Sequence, residues 1–185
     1  MKRWALVLLM ALLMTGCGSQ KEELDQAMAL RAKLMAAPGC SFDADITADY
    51  GTELQRFSVY CEADYQGNLT FTVTEPETIA GISGKISAEG GALTFDDKVL
   101  SFELLAQGQV TPVSGPWLLV RTLLGGNVTA CTREDGLLRI SAEDGFQADA
   151  LQMEIWLDGD SPKAAEVVWK DRRILTLAIE NFRIL

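Results

Sequence analysis

Residues 40–61 read CSFDADITADYGTELQRFSVYC, and the alternation inside this stretch decides the fold. Phe42, Ala44 and Ile46 alternate with Asp43, Asp45 and Thr47, and a second run carries Gln55, Phe57, Val59 and Cys61 at the same period. A period of two belongs to a half-buried strand. A two-residue turn at Tyr50-Gly51, with glycine supplying the positive φ, joins the two runs as a hairpin. In that register Phe42 faces Val59 and Ala44 faces Phe57, so the apolar faces coincide, and Cys40 falls opposite Cys61. The spacing therefore predicts a cross-strand disulfide between Cys40 and Cys61 in an oxidising, extracytoplasmic compartment, with Cys131 left over. The alternative is three buried thiols that behave as small hydrophobes.

Downstream the same period continues. Leu69, Phe71 and Val73 share one face of a strand over 68–74, which ends at Glu75-Pro76 because proline removes a ladder donor. Short strands are expected at 79–82 and 85–88, then at 92–95 after Gly90-Gly91, and at 99–105 after Asp96-Asp97-Lys98. The segment 112–127 interrupts this meander. Ser114 is placed to cap a short helix, Pro116 suits its first turn, and Gly125-Gly126 ends it. Trp117, Leu118, Leu119, Val120, Leu123 and Leu124 make that helix apolar nearly all round, so it is buried or covers a cavity. Strands resume at 128–133, 137–142, 146–150, 151–157, 164–169 and 173–179.

Upstream, residues 20–37 read as an amphipathic helix stopped by Pro38-Gly39. At about 100° per residue, Leu24, Ala27, Met28, Leu30, Leu34 and Met35 share a broad face, opposite Glu22, Asp25, Gln26 and Lys33. Arg31 falls within the apolar stripe and is expected to snorkel outward. Before the helix, Lys2 and Arg3 precede an unbroken apolar run, Trp4 to Met14, which is about half the roughly 20 residues needed to span a bilayer. Such a run is a signal-peptide core. The residues that follow, Met14-Thr15-Gly16-Cys17, resemble a bacterial lipobox, with Met where Leu is commonest. The resemblance implies a signal peptide over 1–16, acylation of Cys17, and a single mature domain over 17–185, anchored outside the cytoplasm to the cell membrane by its lipid.

Composition narrows the function. The chain is 48% hydrophobic, which fits a folded globule rather than a disordered stalk. Its formal net charge is −10, and a surface of that sign repels phosphate backbones and anionic headgroups, so nucleic acid is not an expected partner. The sequence contains no histidine, which excludes Ser-His and Cys-His nucleophile pairs and a histidine general base. No phosphate-binding or dinucleotide-binding glycine motif is present, so neither an enzyme nor a cofactor is expected. Asp43, Asp45 and Asp96-Asp97 could serve carboxylate chemistry, but acidic residues this common give no specific signal.

The order lipobox, helix, strands, Pro-Gly-rich meander, apolar helix and closing meander is similar to that of the lipoprotein-carrier superfamily typified by LolA and LolB. The carriers of this resemblance are PETIAGISGKI from Pro76, the strand-turn-strand 91–100, SGPWLLVRTLLGG from Ser114, and LDGDSPKAAEVVW followed by IENF. It implies an α+β fold: a strongly curved antiparallel sheet, an unclosed barrel, with both helices on its concave face. The chain also resembles the germination lipoproteins of spore-forming clostridia, which implies a protein-binding partner of a cortex-processing amidase. Two functions follow. One is a binding module with an apolar cavity for acyl chains, lined by Leu24, Met28, Leu34, Met35, Trp117, Leu118 and Leu123. The other is a surface-tethered adaptor that binds a protein through a strand edge or sheet face. A filled interior favours the adaptor, and an empty apolar cavity favours the carrier.

Overall fold

The computed structural model describes residues 17–49, 51, 53–95, 98–102, 105–106, 109–143 and 151–185. The expected signal peptide, the turn residues Tyr50, Asp96 and Asp97, and the expected strand at 146–150 lie outside the described residues. The first helix, α1, is Cys17–Ala36. It is followed by β1 (Gly39–Asp49), β2 (Leu54–Asp64), β3 (Leu69–Glu75), β4 (Ser83–Ser87), β5 (Gly90–Phe95), β6 (Lys98–Phe102) and a two-residue pair, β7 (Leu105–Ala106) and β8 (Gln109–Val110). Helix α2 (Ser114–Gly125) precedes β9 (Asn127–Glu134), β10 (Leu137–Glu143), β11 (Gln152–Asp158), β12 (Ser161–Trp169) and β13 (Arg172–Ile184).

Eleven strands form one antiparallel sheet in the order β6-β5-β4-β3-β2-β1-β13-β12-β11-β10-β9. It consists of two meanders, β1–β6 and β9–β13, joined through their first and last strands. Ala44 pairs with Ile179 and Ile46 with Leu177, so this joint is apolar on its inner face. β6 and β9 are the two edges, and the curved sheet does not close on itself. The chain leaves the first meander at one edge and enters the second at the other, so the link between them must cross the sheet. That link carries α2, which packs against β2, β4, β11 and β13 and so bridges both halves. The all-round apolar sequence of α2 fits this place, since it is enclosed by strands from both meanders. The architecture is the unclosed antiparallel barrel with accompanying helices that the resemblance implies.

The first hairpin differs from expectation by a slip of two residues. Phe42 pairs with Cys61, Ala44 with Val59 and Cys40 with Ala63. The ladder closes at Asp49 opposite Leu54, which leaves four residues in the loop instead of two. Asp49 Oδ1 accepts the Gly51 N–H at 2.7 Å, and Gly51 takes a φ of 86°, so the longer loop has its own hydrogen bonding. A slip of two preserves the side-chain parity, and the inner faces still coincide.

Three further expectations are corrected. Residues 79–82 are a turn, not a strand: the N–H of Ile79 donates to Pro76 O, that of Gly81 donates to Val73 O, and Gly81 has a φ of 88°. The first helix spans Cys17–Ala36, three residues longer at its start than the 20–37 read from the sequence. Ser114 is the first helical residue and not the cap of α2; its hydroxyl lies 2.7 Å from that of Thr111.

Candidate functional site

Among the described residues, most of the expected cavity lining is packed into the core. Leu119 of α2 is fully buried, as are Ile155, Leu157, Leu175 and Leu177 on the sheet beneath, and each such side chain contributes about 2 kcal/mol of burial. Trp117, Leu118 and Leu123 are buried with them, as is Leu34 of α1. Met28 is half-buried, and with Leu123 it lines a space of about 10 Å³ between the helices, β10 and β11. Leu34 and Leu123 border a second space, also of about 10 Å³. Each is about the room one water needs, and far below that of an acyl chain.

Leu24 and Met35 do not belong to this interior. They are 42% and 61% exposed, because α1 buries only a narrow seam of Glu23, Ala27, Leu30 and Leu34. The seam faces β9, β1 and α2, and the broad apolar face read from the sequence extends past it into solvent. Arg31 also departs from expectation. It does not snorkel into water. Its Nε donates to Leu123 O at 2.9 Å, and its Nη2 donates to Thr122 O at 3.1 Å and Gly126 O at 2.8 Å. The residue thus adds to the cap on the last turn of α2, where Thr122 O also accepts the Gly126 N–H and the helix dipole favours a cation.

The Cys40–Cys61 bridge expected from the two-residue turn is absent: both residues are free buried thiols, as is Cys131. The two-residue slip places Cys40 and Cys61 diagonally across β1 and β2 instead of opposite one another. Burial pushes the Cys40 thiol up to about 11 and raises that of Cys61 further, with the neighbouring Cys40 and Asp43 adding to the effect. Burial, then the charge of Glu23, raises the Cys131 thiol as well. None of the three is an activated nucleophile. Among the described residues, no cluster of three or more cysteine or acidic side chains could hold a metal ion.

What the interior lacks, the β2–β6 end of the sheet offers. An open groove of about 840 Å³ is bordered by buried Ala63, Leu69 and Ile86 and by exposed Glu62, Lys85 and Glu89. Beside it the inner face of the sheet runs out from under the helices. One row of paired residues shows this: Phe42, Cys61, Phe71, Gly84, Leu93 and Leu100. Exposure along it is 0% at Phe42 and Cys61 and 3% at Phe71, then 65% at Leu100. Gly84 is part of the device, since a Cβ there would meet the Phe71 ring at 2.7 Å; the ring covers the glycine. On the other face of β6, Val99 is 68% exposed. The sequence showed these apolar residues, but edge position follows from strand order, which the sequence reading did not specify.

The described residues thus define the class by its fold: an unclosed antiparallel barrel of eleven strands with β6 and β9 at its edges. No protein-family model matches this sequence, and no curated protein is significantly similar to it. Solved structures resemble it in fold. A putative outer membrane lipoprotein-sorting protein domain from Vibrio parahaemolyticus superposes with a TM-score of 0.48 at 10% identity, covering 88% of this chain and 92% of that one. A LolA superfamily protein from Nitrosomonas europaea gives 0.45 at 9% identity, over 86% and 93%. The Mycobacterium tuberculosis lipoprotein LppX gives 0.41 at 13% identity, over 87% and 93%.

Proposed function

We propose that this chain is a lipid-tethered, extracytoplasmic binding module of LolA-like type, and that it acts as an adaptor for a protein instead of a container for an acyl chain. The observation that supports this reading is the packing among the described residues: the two spaces they line between helices and sheet hold about 10 Å³ each. The tether is Cys17, diacylated on its sulfur before residues 1–16 are removed. The resemblance to germination lipoproteins extends the reading to a partner of the cortex-amidase kind in sporulation, germination or envelope maintenance. The test is native mass spectrometry and solvent extraction of protein purified from its own membrane. No bound lipid beyond the chains on Cys17 is expected. One equivalent of co-purified lipid or lipoprotein would overturn the adaptor reading.

One observation favours a second reading, carriage of acyl chains or lipids. α2 rests on aliphatic side chains from both meanders, including Leu175 and Leu177, whose methyl carbons lie about 3.4 Å from where a Cβ on Gly115 would stand. Outward movement of α2 would uncover a hollow of the apolar kind such ligands need. The same extraction distinguishes the two readings.

A further inference from the structure

The two edges of the sheet are unequal. β9 is covered by α1, Cys131 at its centre is buried, and its pairing with β10 carries an irregularity at Ser141/Ala142. Soluble proteins protect sheet edges in these ways, and also with lysine or proline along the strand. Among the described residues no helix covers β6 as α1 covers β9. Its pairing with β5 is regular from Gly91–Phe102 to Phe95–Lys98, its only charge is Lys98 at the first position, and no strand among the described residues lies on its outer side. Val99 and Leu100 project to opposite faces, each more than 60% exposed, and Phe95 next to them is 57% exposed.

We propose that β6 is the acceptor for an extended segment of a partner protein, apolar at its centre and flanked by lysine or arginine. This rests on the adaptor reading and names its surface. An added strand would pair its backbone with β6. Its inner-face side chains would extend the row that ends at Leu93 and Leu100, covering Leu100 and Phe95, and the intervening ones would cover Val99. The flanking chemistry follows from charge. In the sequence Asp96-Asp97 precede β6 and Glu103 follows it, and the whole chain carries −10. Basic flanks on the incoming strand are attracted to a chain of this net charge, whereas a second copy of this chain would bring like charge against like.

The probe is a synthetic peptide of about twelve residues, with alternating valine and threonine between lysine pairs, and a control with glutamate in place of each lysine. Binding is read by fluorescence anisotropy and located by hydrogen exchange on the full mature chain. The lysine peptide is expected to slow exchange in 98–102, and the glutamate peptide to bind at least about ten-fold more weakly. Leu100→Glu and Val99→Glu should each weaken the lysine peptide by a similar factor while the unfolding midpoint stays put, because both side chains are exposed. Protection elsewhere, indifference to both substitutions, or a dimer that Leu100→Glu dissolves would overturn the proposal. The lipid extraction tests the adaptor reading separately, so a lipid-free protein that ignores the peptide refutes the β6 site alone.

Discussion

Arg31 on α1 donates its Nε–H to the carbonyl oxygen of Leu123 on α2 at 2.9 Å, and this contact ties the two helices at the point where α2 ends. Thr122 and Gly126 supply two more carbonyls to the same guanidinium. Burial lowers its pKa, yet a guanidinium stays charged throughout the working range. Replacement by methionine keeps the stem and removes three charge-assisted bonds. Arg31→Met should destabilise the chain by about 2 kcal/mol in urea unfolding, with Arg31→Lys in between because an ammonium lacks the planar fork.

The thiols give a pH dependence with a definite sign. An unfolded cysteine titrates near 9, and native Cys40 near 11. The native state therefore holds a proton that the unfolded chain releases. The stabilisation is fully present below pH 9 and is lost as pH rises towards 11, by up to about 3 kcal/mol for Cys40 alone. Cys61 acts in the same direction. Denaturant titrations at pH 8 and pH 10.5, repeated on Cys40→Ala, measure it: the variant should show a smaller loss. Iodoacetamide at pH 8 should leave all three thiols unmodified until the chain unfolds, and reductant should not change the intact mass.

Leu119 and Leu24 are the same residue type in opposite surroundings, one fully buried and the other 42% exposed. Leu119→Ala should cost about 3 kcal/mol, because the strands around α2 relax only in part into the space left behind. Leu24→Ala should fall within about 0.5 kcal/mol of wild type. Equal effects would contradict the burial pattern of α1 and reinstate the broad face read from the sequence.

Parity was legible in the sequence because it is local. The alternation of Phe42, Ala44 and Ile46 marks the inner face whatever partner the strand takes, and most strands downstream lie within a few residues of where alternation and turn residues place them. Register was less legible: a loop of two residues and a loop of four give the same parity, and only the pairing of Asp49 with Leu54 decides between them. That choice moved Cys61 from Cys40 to Phe42 and removed the bridge. Non-local joints were not legible at all. Nothing in β1 or β13 announces that Ala44 meets Ile179, and without that joint the edges cannot be named. Arg31 looked like an outlier in an apolar stripe because its three acceptors lie more than ninety residues away. Within α1, periodicity gave a face wider than the seam that β9 and α2 cover, which is why Leu24 and Met35 were placed inside.

The tether can be tested apart from the binding surface. Among the described residues no helix is long and apolar enough to cross a membrane. Without Lys2 and Arg3, 14 basic residues face 26 acidic ones, so headgroup attraction does not hold the chain to an anionic bilayer. On the proposed reading, acyl chains on Cys17, at about 0.8 kcal/mol per buried methylene, supply the attachment, and two of them suffice for stable anchoring. Expressed in a host that lipidates such signals, the wild-type protein should stay with membranes through a high-salt wash and enter the detergent phase on cloud-point separation. Cys17→Ser should appear in the aqueous phase, with its unfolding midpoint unchanged. Salt-resistant membrane association of Cys17→Ser would show that another part of the chain makes the attachment.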